Sequence, residues 1–263
     1  MSTARVVILV ASVLGRADWG HAMAAELAQV PARRRGRFVA GCLGALLLSL
    51  PGLAWASLAS GLLSLAVVAA ALVRYPGLVT GVGTWLAVGF FVTVVVGYVV
   101  AAAGLSTRLE ESRLLVGAVL AGAGIACSWW AVGLAASVGA PTLASMAMLA
   151  LGPAVAGVAG AWATARSSWV VGTECVGLAS LLAGFALFLL WGGQTVAFAG
   201  RPYDAALVRD FRASGAHDLA TYAVSDSLGS GMMLLLLVPL VSLVAGAAGC
   251  VVAQRAWPAT TSA

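Results

Sequence analysis

The chain of 263 residues is 62% hydrophobic and only 9% charged. An ordinary soluble domain carries roughly 25% charged residues, so this composition excludes a soluble globular domain and requires lipid to solvate much of the surface. The net charge of +5, carried by arginine without lysine, is too modest to indicate a nucleic-acid partner.

Residues 1–37 are predicted to form a cytoplasmic prefix of short amphipathic helices. Trp19, Met23 and Leu27 recur at helical spacing and form one apolar stripe, with Glu26 beside it. A basic cluster ends the prefix, and such a cluster next to a membrane segment favours the anionic cytoplasmic leaflet. We therefore expect these four residues to dock a cytoplasmic protein partner.

A charge-free stretch of apolar sequence follows the prefix, interrupted by Pro51. Only 13 residues lie between the prefix and this proline, whereas a membrane-spanning helix needs about 20. Residues 38–52 are therefore predicted to form an interfacial helix. The remaining sequence, 53–256, predicts an all-α, polytopic transmembrane bundle with six spans near 53–73, 82–104, 114–137, 143–164, 171–198 and 231–253.

The arginine distribution predicts the orientation, because cytoplasmic loops carry an excess of basic residues. With six spans and a cytoplasmic N-terminus, the cytoplasmic arginines are Arg5, Arg16, Arg33, Arg34, Arg35, Arg37, Arg108, Arg113, Arg166 and Arg255. The arginines on the outside are Arg74, Arg201, Arg209 and Arg212. A seventh span over 38–50 would give the same split, so it stays an alternative. The tail 257–263 is cytoplasmic with six spans and outside with seven.

Small residues four apart recur in the predicted spans, as in Ala156/Gly160, Gly157/Ala161 and Ala245/Gly249. Such pairs let helix backbones approach closely where no hydrophobic force draws helices together. We expect them to pack helices within the bundle, with a homo-oligomer interface as the alternative.

The hydrophilic segment 200–230 is predicted to form an outer helical hairpin. Asp204 is placed to cap its first helix, which Ser214-Gly215 ends. Asp218 is placed to cap the second helix, and Gly229 and Gly231 are expected to break that helix before the last span.

Five polar residues are candidates for function. Glu174 lies inside a predicted span, where a carboxylate is costly and is a functional candidate by default. The alternative explanations are that its carboxylate reaches the membrane interface or that it pairs with Arg166, eight residues earlier. The other candidates lie in the hairpin and are Asp218, Ser225, Asp226 and Ser227.

Catalysis is not expected. The segment 225–229 is one residue away from G-x-S-x-G, but that motif needs a preceding strand and a nearby base. Neither is indicated, and no metal-ligand, cofactor or phosphate-binding motif occurs. We predict no catalytic residue, no cofactor and no metal site.

Two stretches resemble a family of actinobacterial integral membrane proteins. The first is W-G-H-A-M-A-A-E-L at 19–27, and the second is D-L-A-T-Y-A-V-S-D-S-L-G at 218–229. Arg74-Tyr75-Pro76-Gly77 fits the same pattern. The family has no assigned activity, so the resemblance implies a membrane protein and leaves its function open.

Two functions follow as hypotheses. The first is a regulatory or accessory protein of the cell membrane. Its distinctive segments, the prefix and the hairpin, lie outside the spans, whereas the spans consist mostly of common apolar residues. The alternative is a small-solute permease or efflux component, suggested by the six spans and the glycine-flanked loop before the last one.

Overall fold

The computed structural model describes residue 8 and the ranges 17–48, 52–79, 82–109, 111–137, 142–198, 205–215 and 218–256. This part of the chain contains helices and no strand, which confirms the predicted all-α class. Its nine α-helices are α1 (Ala17–Gln29), α2 (Arg35–Leu48), α3 (Gly52–Arg74), α4 (Val82–Arg108), α5 (Ser112–Ser137), α6 (Thr142–Arg166), α7 (Trp169–Phe198), α8 (Ala205–Ser214) and α9 (Leu219–Ala256). The Asp204 cap and the tail 257–263 lie outside the described residues.

Five helices, α3, α4, α5, α7 and α9, are long and apolar enough to cross a membrane. The chain is therefore a multi-pass membrane protein. The predicted span 143–164 falls on α6, which has 25 residues and packs between α5 and α9. Helix α2 has 14 residues and is about 21 Å long, shorter than the hydrocarbon core of about 30 Å.

The six long helices run alternately in opposite directions. At one end, Arg108 at the close of α4 meets Glu174 near the start of α7. At the other end, the Arg74 guanidinium at the close of α3 donates to the Val196 carbonyl at the close of α7. We call these the Glu174 end and the α8 end. Helices α3, α5 and α7 begin at the Glu174 end, and α4, α6 and α9 return to it.

Helix α7 occupies the centre of the bundle. In its most apolar window 72% of residues are buried, against 22–33% in the other four candidate spans. It contacts α3, α4, α5, α6 and α9. Its buried side chains include Leu178, Phe185, Leu187 and Phe188, which join the cores on its different sides.

The predicted second hairpin helix and the predicted last span form one continuous helix, α9, of 38 residues. The predicted break at Gly229 and Gly231 is therefore wrong, and the second hairpin helix is the first part of α9. Glycine inside a helix costs about 1 kcal/mol, which tertiary packing offsets. At Gly231 a side chain would lie 3.3 Å from the Phe188 ring, so the glycine lets α9 approach α7.

The first hairpin helix ends as predicted. Helix α8 stops at Ser214, and Gly215 has a φ of 70°, the left-handed conformation that glycine adopts without a steric penalty. The Phe211 ring packs on the Tyr222 ring with centroids 5.7 Å apart, so α8 rests against the start of α9.

The small-residue pairs of α6 and α9 face each other inside the bundle. A Cβ atom built on Gly249 would overlap the Gly157 carbonyl oxygen, and one on Gly160 would lie 3.1 Å from the Gly246 carbonyl carbon. The two backbones are thus in direct contact, and these faces are filled within one chain.

Candidate functional site

Glu174 forms an ion pair, but with a different arginine from the one expected. Its Oε1 atom lies 3.4 Å from Arg108 Nη1, and the two side chains are 17% and 55% exposed. The expected pairing with Arg166 is wrong, because the Arg166 guanidinium folds back over the Trp162 ring, 4.5 Å from its centroid. Glu174 instead faces α4, whose last turn supplies Arg108. The pair lies at the edge of the bundle and joins α4 to α7 at the Glu174 end.

Asp218 caps α9. Its carboxylate accepts hydrogen bonds from the Thr221 backbone N–H at 2.8 Å, from the Ala220 backbone N–H at 3.3 Å and from the Thr221 hydroxyl. The side-chain hydrogen bond from Thr221, followed by the one from its backbone, lowers the pKa of Asp218. These contacts satisfy N–H groups that a helix start leaves without partners, so the position of Asp218 is that of an N-cap.

The structure brings together two of the stretches that carry the sequence resemblance. A Cβ atom on Gly77 would lie 3.2 Å from Thr221 Cγ2, so the turn after α3 packs against the first turn of α9. The ring of Tyr75 lies 5.8 Å from the Arg74 guanidinium, whose Nη1 also reaches the end of α7. Nothing in the sequence indicates this contact beyond the presence of both motifs.

The three other hairpin candidates do not form a cluster. Ser225, Asp226 and Ser227 are consecutive in α9, so helical geometry points their side chains in three directions about 100° apart. Ser225 and Asp226 are exposed and Ser227 is partly buried. Because the segment is continuous helix, the strand and sharp turn that a nucleophile elbow requires are absent from it.

A cleft of about 220 Å³ lies at the α8 end and is lined by α3, the turn after it, α4 and α9. Sequence reasoning missed this cleft, since its walls come from four separate segments. Deeper in the bundle the Tyr98 side chain of α4 reaches α9, where its hydroxyl donates to the Leu235 carbonyl at 3.0 Å. The residues that line the cleft are Val68, Leu72, Leu78, Thr84, Ala87, Val88, Phe91, Ser225, Leu228, Gly229 and Met232.

Part of the apolar stripe of α1 is buried or contacts α2 within the prefix. Leu27 is only 4% exposed, and the Cys42 thiol on α2 donates to the Met23 sulfur at 3.6 Å. Burial, with the nearby Glu26 carboxylate, raises the pKa of Cys42. Trp19 is half-buried, and Glu26 is exposed. Of the four predicted docking residues, Leu27 is buried, Trp19 and Met23 are partly exposed, and Glu26 is exposed and available to a partner.

Among the described residues, no group of three or more His, Cys, Asp or Glu side chains is arranged to hold a metal ion. The four cysteines are free thiols, with Cys127 exposed and the other three buried.

Comparison with protein-family models, with curated proteins and with solved structures gives no match for this chain.

Proposed function

We propose that this chain is an accessory membrane protein with a regulatory role, whose cytoplasmic helix pair α1–α2 binds a protein partner. The observation that carries this proposal is the filled centre of the bundle. Helix α7 occupies that position with buried side chains such as Leu178, Ala183 and Phe188, all fully enclosed. A permease needs polar groups along a path through the membrane. The one acidic residue of α7, Glu174, instead pairs with Arg108 at the bundle edge.

The arginine distribution supports a cytoplasmic Glu174 end. Arg108, Arg113, Arg166 and Arg255 all lie on helix ends or starts at this end. Helix α2, with 14 residues, is too short to cross the hydrocarbon core and ends four positions before α3, which supports a basic prefix on the same side. Excess arginine on one side favours the cytoplasm.

The exposed surface of α1–α2 indicates the kind of contact that a partner would make. Met23 contacts Cys42 of α2 and Leu27 is buried, so a partner meets the exposed residues of α1, which include Asp18 and Glu26. The turn between the helices exposes Arg33 and Arg34. A charged surface of both signs fits a polar protein interface, in which charge complementarity selects the partner.

The test is affinity purification of the tagged full-length protein from native membranes. We expect a stoichiometric cytoplasmic protein to accompany the wild type and to be lost after deletion of residues 1–30. The charge reversal Glu26→Arg should weaken its recovery, because Glu26 is exposed on α1 and its negative charge would be replaced by a positive one. Asp210→Arg is the matched control, since Asp210 is also exposed but lies at the α8 end. Unchanged recovery with the 1–30 deletion would refute the proposal.

A permease is the second candidate, and the observation in its favour is Glu174 itself. Its side chain is only 17% exposed within a candidate span, and its arginine partner lies on another helix. An ion pair that joins two spans is an arrangement that transporters use to couple charge to movement. Substitution of Glu174 separates the two candidates.

A further inference from the structure

The cleft between α4 and α9 changes in polarity along its length. Two hydroxyl-bearing residues, Thr84 and Ser225, line it toward the α8 end. Seven residues further along each helix, Phe91 and Met232 line its inner part. Seven helical residues correspond to about 10 Å, so the cleft descends from a hydroxyl-bearing rim to an apolar floor.

No charged side chain lines the cleft, so it fits an apolar ligand. The Thr84 hydroxyl already donates to the Leu78 carbonyl at 2.9 Å, which reduces the polarity of the rim. A charged or strongly polar solute would lose hydration here without compensating hydrogen bonds, at a cost of several kcal/mol.

The volume limits the size of the ligand. A dry cavity of about 150 Å³ accepts one benzene molecule, and pockets for drug-sized molecules measure about 300–1,000 Å³. At about 220 Å³, the cleft is large enough for a segment of one alkyl chain and too small for a drug-sized ring system.

The cleft is continuous with the surface that faces lipid. On α4, Trp85, Leu86 and Phe90 are between 52% and 69% exposed, and on α9 Met233 is 64% exposed. These side chains flank the cleft, so a chain in the bilayer can enter between the helices from the side. Trp85 is also placed where aromatic residues mark a membrane interface.

We propose that the cleft is a binding site for one acyl chain of a bilayer phospholipid from the leaflet at the α8 end. The direction of the polarity change matches a lipid of that leaflet, with its ester region at the hydroxyl rim and its chain directed toward Phe91. Since lipid tails are as apolar as the cleft walls, the chain is held by close packing rather than by a hydrophobic driving force.

The experiment uses the full-length protein in phospholipid nanodiscs that contain a trace of phosphatidylcholine with a diazirine in the half of one acyl chain nearer the glycerol. After irradiation, mass spectrometry maps the labelled residues. We expect labelling of Val88 and Met232, which line the cleft, to exceed labelling of Leu86 and Met233, which are exposed to lipid at similar depths. Equal labelling at all four positions would reduce the cleft to ordinary lipid-exposed surface and overturn the proposal.

A second test of the proposal fills the cleft with a larger side chain. A side chain added at Gly229 meets open space within the cleft, so Gly229→Phe should reduce labelling of Val88 and Met232 to the level of the lipid-facing positions. Gly97→Phe is the matched control, because Gly97 also faces open space but does not line the cleft. Ala87→Phe fills the same cleft from α4 if the first variant fails to fold. Strong labelling that persists in a folded filling variant would contradict the proposed site.

Discussion

The close approach of α6 to α9 gives the sharpest structural prediction, the effect of Gly249→Ala. The added Cβ atom would lie 2.7 Å from the Gly157 carbonyl carbon and 2.9 Å from its Cα atom, whereas ordinary van der Waals contact begins at 3.4 Å. Backbone atoms cannot rotate away as a flexible side chain does, so the two helices must separate. Overpacking of this kind costs about 1–3 kcal/mol. The helix propensity gain of alanine over glycine, about 1 kcal/mol, offsets only part of that cost.

The measurement is thermal unfolding in detergent, followed with a dye that fluoresces on reacting with thiols. Cys175 and Cys250 are buried in the bundle and become accessible on unfolding, and a Cys127→Ser background removes the exposed thiol. We expect Gly249→Ala to lower Tm by several degrees, at roughly 2–4 °C per kcal/mol for a chain of this size. Gly97→Ala, which meets no atom within 4 Å, should leave Tm unchanged or raise it. Equal Tm values for the two variants would refute backbone contact between α6 and α9.

Two further predictions concern the charged groups. Asp218→Ala should fray the first turn of α9 and speed amide hydrogen exchange at Thr221, while slow exchange at that amide would show that the cap is dispensable. Because its pKa is lowered, Asp218 should support the cap at neutral pH, and the cap should weaken only as pH falls below about 4 through that lowered pKa. Glu174→Gln should change the free energy of unfolding by about 1 kcal/mol or less, since Arg108 is more than half exposed. If the protein is regulatory, Glu174→Gln should not lower solute transport in vesicles. A transport rate that is measurable for the wild type and lower for Glu174→Gln would favour the permease.

Hydropathy and terminal signals predicted most of the helices. The apolar stretches fall on the long helices, and Ser214-Gly215 ends α8, because burial in lipid and backbone conformation are local properties of sequence. The central position of α7 was not predicted. In a membrane protein the lipid-facing and bundle-facing residues are equally apolar, so hydropathy does not distinguish a central helix from a peripheral one.

The contacts of the candidate site depended on residues far apart in the chain. Arg108 and Glu174 are 66 positions apart, and only the antiparallel arrangement of α4 and α7 brings them within reach. The nearer Arg166 was the obvious partner by sequence, but its contact with Trp162 satisfies it within its own helix. Proximity in sequence was therefore a poor guide to pairing at helix ends.

The glycines of α9 show why residue type alone did not predict the structure. Gly229 faces open space in the cleft, Gly231 lies against the Phe188 ring, and Gly249 lies against the backbone of Gly157. The same lack of a side chain leaves room for a ligand at the first position and allows helices to meet at the other two. A glycine-rich segment in a membrane protein is thus as compatible with close packing as with a helix break, and the neighbouring helix decides between them. Substitutions at Gly229 and Gly249 should accordingly have different consequences, the first in lipid contact and the second in stability.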